Sequence, residues 1–465
     1  MTDLWAGVDV GTQSLRVLLA GDDGTVVARA GVPLSSRRAG GRHEQDPADW
    51  WTALGAAFRA ALRGVPPERV RGVAVCATSG TFLLAGRDGT PRTPALMYDD
   101  ARATDREVAE TGVQRTWALP KLRWLLRHGT ADVRAGLADG RLMVRHSGDH
   151  LADRLTGTLV ATDWTSALKT GYDGGWADAG VPGLPDVVRP GTLLGTVRAD
   201  GAAHTGLPVG VPVRAGLTDG CAAQVAAGAL AVGSWNSVLG TTLVVKGVTA
   251  NRIADPSGAV YSHKHPDGGW LPGGASNVGA AVVDDWFPGA DRATLDRAAA
   301  AHEPAGALVY PLRSAGERFP FVRPDATAFT VGGFTDDADR YAGLLQGVAF
   351  VERLCYAHLR RLGADTSGSL TLTGGATRSR YWSQLRADVL GRPVTLPATA
   401  EPALGMAIVA AAGDGSLTDT AARMVRVAET LDPQVGDRFA EPYGRFVEAL
   451  AARGYIDAAY AEEPS

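Results

Sequence analysis

Two aspartates stand where a strand gives way to a glycine-bearing turn: Asp9, ahead of Gly11-Thr12-Gln13-Ser14, and Asp219, ahead of Gly220. A carboxylate held at a strand end suits two kinds of work. It can accept the proton of an attacking alcohol, or it can hold a hydrated Mg²⁺. Beside Asp9, the short donors Thr12, Gln13 and Ser14 and a glycine that admits close backbone approach form a nest for phosphate oxygens. Two more turns of this kind follow strands, Gly240-Thr241-Thr242 and Gly374-Gly375-Ala376. Ser79, in Thr78-Ser79-Gly80, and Asp100, in Tyr98-Asp99-Asp100-Ala101-Arg102, add a hydroxyl and a carboxylate at loop positions. Each residue also has a plainer use. Asp219 caps the helix that starts at Cys221, Ser79 closes a turn, Asp99 and Asp100 pair with Arg102 at the surface, and Asp9 precedes an ordinary hairpin. One turn alone carries little weight; four in this order point to a phosphate chain.

These groups need strands behind them. Ala6–Leu19 is a pair of apolar, β-branched runs around the first turn, which predicts a hairpin, and a third strand near Thr25–Ala30 makes it a meander. Asp46 as N-cap, Pro47 in the first helical position and Asp49 in the first turn start a helix. Trp50, Trp51, Leu54, Ala57, Phe58, Ala61 and Leu62 recur at helical spacing, and Gly64 ends it. Val70–Ala77 is a buried strand with Thr78-Ser79-Gly80 at its C-terminal edge, where open α/β sheets collect ligands. Short strands are expected at Phe82–Ala85 and Ala95–Tyr98. Helices are expected at Ala103–Glu110, Pro120–His128 and Gly148–Leu155, the last capped by Ser147 or Gly148. From Ala161 to Gly201 the Gly, Asp and Pro content predicts irregular surface loops.

A strand at Pro212–Gly216 and a helix from Cys221 to Ala229 close the first half. The pattern then restarts, with Ser234–Leu239, the Gly240-Thr241-Thr242 turn and Leu243–Val248 repeating the opening hairpin. That repetition predicts two domains of one design, 1–231 and 232–465. In the second, helices are expected at Asp291–Ala301, Arg340–Leu362, Arg380–Leu390, Pro402–Ala412 and Tyr443–Ala452, with a strand at Ser369–Thr373.

At 465 residues the chain exceeds what one core usually supports, and 45% hydrophobic with 21% charged residues is a globular composition. A net charge of −4 makes no electrostatic case for nucleic acid or an anionic membrane as partner. Cys76, Cys221 and Cys355 are isolated in apolar runs and read as reduced core residues. With no leader-like run at Met1 and no long uncharged apolar span, a cytoplasmic protein is expected. No Gly-x-x-x-x-Gly-Lys-Ser/Thr run occurs, which excludes a P-loop, and the first turn does not open a helix as a dinucleotide fingerprint would.

The set of motifs resembles the FGGY carbohydrate kinases, within the sugar kinase, actin and Hsp70 ATPase superfamily, over nearly the whole chain. Asp9-x-Gly11-Thr12-x-Ser14 is similar to the family's first phosphate motif. His43-Glu44-Gln45-Asp46-Pro47-x-Asp49-Trp50-Trp51 is similar to its first long helix. Leu155-Thr156-Gly157, Gly316-Glu317-Arg318-x-Pro320, Gln346-Gly347-Val348-Ala349-Phe350 and Gly374-Gly375-Ala376-x-Arg378-Ser379 match further landmarks. The resemblance implies an α/β protein with the two-domain ribonuclease H-like, actin-like ATPase fold and an active site in the interdomain cleft. It also implies ATP and Mg²⁺ as cofactors and a small sugar as partner, in a monomer or homodimer. By position it implies Asp219 as general base, Asp9 holding Mg²⁺ through water, and Thr12 and Gln13 at the γ-phosphate. Gly240 and Thr241 would meet the inner phosphates, Gly374, Gly375 and Ala376 the adenosine, and Ser79, Asp100 and Asp219 the sugar.

Xylulose kinases of the family carry Gln-x-His-Gly where this chain has Ala77-Thr78-Ser79-Gly80, and glycerol kinases carry an Arg-Glu pair there. Thr78-Ser79-Gly80-Thr81, with Tyr98 in place of the usual Trp, is similar to the D-ribulose kinase branch. Gln346 replaces the Glu common before Gly347, which alters a helix contact. The expected reaction is therefore D-ribulose to D-ribulose 5-phosphate, with D-xylulose or another sugar or polyol as the alternative. An actin- or Hsp70-like ATPase without sugar transfer is the remote one.

Overall fold

The computed structural model describes residues 2–176, 181–434, 436–457 and 460. The chain divides into two compact units, Met1–Gly228 with Thr399–Val425, and Ala229–Ala398 with Arg426–Ser465.

In the first unit β1 (Leu4–Val10), β2 (Ser14–Gly21) and β3 (Val26–Pro33) form the expected antiparallel meander. The strand Val70–Ala77 lies parallel to β1 on its other side and places Cys76 opposite Asp9. Pro212–Arg214 runs parallel to it in turn, and Leu193–Thr196 closes that edge antiparallel, giving a six-stranded sheet. The central strands are apolar on both faces because helices cover both, whereas β3 at the edge alternates between half-buried and exposed residues. The helix Pro47–Ala61 packs on β2 and β3, and Pro402–Ala412 packs on β1 and Val70–Ala77. That second contact depends on Gly7, since a Cβ there would lie 1.7 Å from the Ala403 carbonyl oxygen.

The second unit repeats the order. Trp235–Leu239 and Leu243–Gly247 are the hairpin, and Trp270–Ser276 the third antiparallel strand, with Tyr261–Lys264 beyond it. Leu370–Thr373 and Val394–Pro397 continue in parallel, and Val427–Leu431 closes the seven-stranded sheet antiparallel. The 25-residue helix Asp337–Arg361 supplies the core behind it through Leu344, Leu345, Val348, Val351 and Leu354, all at most 1% exposed. Asp336 caps it, accepting from the Ala338 and Asp339 N–H groups at 2.9 Å. Gln346, within that helix, accepts from the Ala305 N–H at 3.0 Å. Cys76, Cys221 and Cys355 are buried and in no disulfide, and among the described residues no helix is long and apolar enough to cross a membrane.

The largest departure from expectation lies between Ala161 and Gly201. In place of surface loops the structure has a short helix Trp164–Ala167 capped by Asp163, a 3₁₀ turn Leu168–Thr170 and a strand Val187–Val188. The edge strand Leu193–Thr196 and a helix Ala199–Thr205 follow; residues 177–180 lie outside those described. Thr162, Thr165 and Thr170 are fully buried. Polar composition predicted solvent, but these hydroxyls are satisfied by other side chains, which a one-dimensional pattern does not show. The helix expected from Gly148 starts at Ser147, and its cap is His146, whose N–H donates to Asp149 Oδ2 at 3.1 Å. The strand Trp270–Ser276 runs through Pro272-Gly273-Gly274, residues whose composition favours a turn.

Candidate active site

Asp9 occupies the last position but one of β1, opposite Arg16 on β2 and Cys76 on the parallel strand. Only 3% of it is exposed. Arg16 Nη1 donates to its Oδ2 at 3.1 Å, and Cys76 Sγ lies 3.7 Å from its Oδ1. Burial, followed by the nearby negative charge of Asp219, raises the Asp9 carboxyl to about 6 against the pull of Arg16. The fold thus brings together two carboxylates that are 210 positions apart in sequence. Asp219 opens the helix Asp219–Ala226 directly after the Thr218 N-cap, is half-buried, and accepts from the Gly220 N–H at 2.7 Å. Its turn is joined to the end of Val70–Ala77 by a bridge between Ala77 and Thr218.

The turn Gly11–Ser14 is fixed from behind by a residue that sequence reasoning placed only in a helix-start motif. Gln45 Nε2 donates to the Thr12 carbonyl at 2.7 Å and to Ser36 Oγ at 2.9 Å, while Gln45 Oε1 accepts from Trp50 Nε1 at 2.7 Å. The Gln13 carbonyl accepts from the Leu34 N–H at 2.9 Å. With their carbonyls bound from behind, Thr12 is half-buried and Gln13 exposed.

Ser79 Oγ is buried without a hydrogen-bond partner. Asp100, fully buried, accepts from the His43 N–H at 2.7 Å and from Arg102 Nε and Nη2, each at 2.8 Å. These hydrogen bonds hold its carboxyl below the usual value against its burial. Lys121 links the two loops. Its Nζ donates to the Gly80 carbonyl at 2.9 Å and to the Met97 carbonyl at 2.7 Å. Complete burial pushes this amine down to about 7. Lys169 Nζ reaches the Ser79 carbonyl at 3.3 Å. The chain has only four lysines, and two of them serve adjacent carbonyls of one turn. His43, paired with Asp99, entered the sequence reading only as part of the helix-start motif, and Lys121 stood out only as a rare lysine.

In the second unit a cavity of about 440 Å³ is lined by Gly240, Thr241, Gly375 and Ala376, with Ala281, Arg292, Asp296 and Tyr341 among its other walls. A volume of several hundred Å³ matches what a nucleoside-sized ligand fills. Gly374 does not line it but permits it. Its φ of 91° lies in the left-handed region, and a Cβ would stand 2.5 Å from the Leu239 carbonyl oxygen. Glu317 is consumed structurally: it accepts from Ser276 Oγ and the Asn277 N–H, both at 2.8 Å, and from Tyr310 OH at 3.1 Å.

Two ribonuclease H-like units, each with a strand, glycine turn, strand hairpin, define an ATPase-type fold shared by sugar kinases and actin-like proteins. Residues 4–226 match the N-terminal domain model of the FGGY family of carbohydrate kinases, and residues 235–413 match its C-terminal domain model. The chain belongs to that family and is a sugar phosphotransferase. It is 33% identical to a xylulose kinase of Streptomyces rubiginosus, covering 94% of this chain and 95% of that one. It is 29% identical to an autoinducer-2 kinase of Escherichia coli, covering 92% and 89%. Among solved structures, the xylulose kinase from Rhodospirillum rubrum superposes with a TM-score of 0.86 at 27% identity, covering 97% and 99% of the two chains. A glycerol kinase from Plasmodium falciparum shares the fold at a TM-score of 0.86 and 16% identity, covering 98% and 99%.

Proposed function

We propose that this chain transfers the γ-phosphoryl group of ATP to a terminal hydroxyl of a ketopentose, D-ribulose, giving D-ribulose 5-phosphate, with Asp219 as general base. The observation that carries the reading is the Asp9–Asp219 pair, in which one carboxylate is buried at a strand end and a second, more accessible one is near enough to raise it. Phosphoryl transfer has a loose transition state, so the enzyme's work is positioning and charge stabilisation. Asp219 accepts the hydroxyl proton as the oxygen attacks.

Two carboxylates near enough for one to raise the other fit a divalent cation, and Mg²⁺ is usually held by one or two of them with water and phosphate oxygens completing its shell. Asp9 is the residue that would hold it. When bound, Mg²⁺ neutralises charge on the phosphate chain. Thr12 and Gln13 would meet the γ-phosphate, Gly240 and Thr241 the inner phosphates, and Gly374, Gly375 and Ala376 the adenosine; the cavity bounded by four of these residues supports that assignment. Ser79, Asp100 and Asp219 would form the sugar site. The unpartnered Ser79 hydroxyl supports a polar ligand there, and Asp100 contributes by fixing the Tyr98–Arg102 loop.

Ser79 in place of the histidine of xylulose kinases favours D-ribulose. The names of the Streptomyces and Rhodospirillum relatives favour xylulose, and so a D-xylulose kinase as the second reading. ADP release measured over D-ribulose, D-xylulose, L-ribulose, aldoses and glycerol separates them by kcat/KM. Equal ADP release with and without every sugar would instead mean an ATPase that transfers nothing to sugar. Asp219→Asn is expected to lower sugar phosphorylation about 10²- to 10⁴-fold, the usual worth of a general base, with ATP binding retained.

A further inference from the structure

We infer that Thr165 is a positioning residue for phosphoryl transfer: its hydroxyl fixes the backbone of the Thr218-Asp219 turn and so aims the Asp219 carboxylate. The inference rests on the reading of Asp219 as general base. The Thr218 N–H donates to Thr165 Oγ1 at 2.9 Å. Thr165 Oγ1 in turn donates to Asp163 Oδ1 at 2.5 Å. The same Asp163 oxygen accepts from the Thr165 N–H at 2.7 Å and the Ser166 N–H at 3.1 Å, as the cap of the Trp164–Ala167 helix. A hydroxyl has a single proton, and here it is committed to Asp163; that turns a lone pair toward Thr218.

The linkage is dry. Thr165 is fully buried, and Thr218 and Asp163 are 2% and 4% exposed, so water does not stand in for the hydroxyl. Removing it strands a buried backbone N–H one residue before the proposed base. Asp219 itself is half-buried, so an accessible carboxylate rides on an inaccessible support. The other fixed point of the turn is the Ala77–Thr218 bridge at the end of Val70–Ala77, and Thr165 supplies the second anchor from a different segment. That segment also carries Lys169, bound to the Ser79 carbonyl, so one short stretch touches the turns of both the proposed base and the proposed sugar contact.

A base displaced by about 1 Å loses up to about 10²-fold in rate with little change in ground-state binding. Thr165→Val keeps the shape and removes both the donor and the acceptor. Its kcat is expected to fall about 10- to 100-fold, with KM for sugar and for ATP each within about threefold of wild type. Thr165→Ser, which keeps the hydroxyl, is expected to recover kcat to within about threefold. If the valine variant does not fold, Thr165→Ala removes the same hydroxyl and is read the same way. Unchanged kcat, a loss expressed wholly in KM, or a serine variant as slow as the valine one would overturn the assignment. Asp219→Asn, run alongside, separates the two levels: full activity there removes the base and the positioning role together. An inactive Asp219→Asn with an unimpaired Thr165→Val removes the positioning role alone.

Discussion

In the first unit β1 enters its turn through Asp9-Val10, opposite Arg16-Leu15 on one side and Cys76-Ala77 on the other. In the second unit the matching strand enters through Val238-Leu239, opposite Val244-Leu243, with Thr373 beside Val238 on the parallel strand. Strand order, pairing sense and the glycine after the strand are the same; the residue before the last is a buried carboxylate in one and a valine in the other. The second turn, Gly240-Thr241-Thr242, is neutral and carries only backbone groups and threonine hydroxyls. The first carries a charge that the fold disfavours, since burial and Asp219 both push the Asp9 carboxyl up. The comparison separates scaffold from chemistry: a hairpin repeated for its geometry was charged on one side only, at a cost in stability.

Removing that charge is the most direct way to break the asymmetry. Asp9→Asn makes the first turn as neutral as the second, and sugar phosphorylation is expected to fall at least about 10²-fold, the scale of losing a charge-stabilising group. The same variant is expected to be more stable at neutral pH in metal-free buffer. A carboxyl raised from 3.8 to about 6 favours the folded state only below its unfolded value, and that benefit is lost as pH rises through 6. The gain on substitution is therefore expected to be on the order of 3 kcal/mol at pH 7.5 and to vanish near pH 3.5. Urea unfolding at the two pH values, beside an ADP-release assay, checks both halves. A variant that loses activity without gaining stability would show that the charge is accommodated better than its burial implies.

The second turn is sharpened by Gly374→Ala. The residue after the parallel strand is Thr78 in one unit and Gly374 in the other, and only the glycine sits at positive φ against the Leu239 carbonyl. The substitution is expected to cost about 3 kcal/mol through strain and clash, with ATP binding weakened accordingly. Thermal melts and nucleotide titration measure it; a wild-type melt would mean the hairpin end shifts freely.

The smallest effect concerns Lys121, the buried brace of the first unit. Its amine, lowered from 10.5 to about 7, leaves the unfolded chain binding the extra proton between those values. Stability referred to Lys121→Met should therefore rise from pH 7 toward pH 10.5, by about 1.4 kcal/mol per pH unit, and level off at its lowest below pH 7. Paired urea curves at pH 7, 8 and 9 test this. Parallel pH dependence in the two proteins would mean the amine is charged throughout.

Much of the candidate site was legible because glycine turns after apolar strands are local signals. Asp9, Gly240 and Gly374 each declare themselves within five residues of sequence. The supports were not legible. Gln45 was read as part of a helix-start motif, and its role is to bind the Thr12 carbonyl across 33 positions. Thr162, Thr165 and Thr170 were read as surface loop because a polar residue bonded inside a protein has the same composition as one bonded to water.

By itself the sequence determined the two hairpins, the cap of Pro47–Ala61 and the duplication, since each depends on neighbours a few residues away. The meeting of Asp9 with Asp219, the packing of Pro402–Ala412 on β1 and the anchoring of Thr218 by Thr165 were decided by tertiary structure alone. These contacts join residues tens to hundreds of positions apart. They form only where folded strands bring burial and charge to one point, and a linear pattern contains no record of that distance.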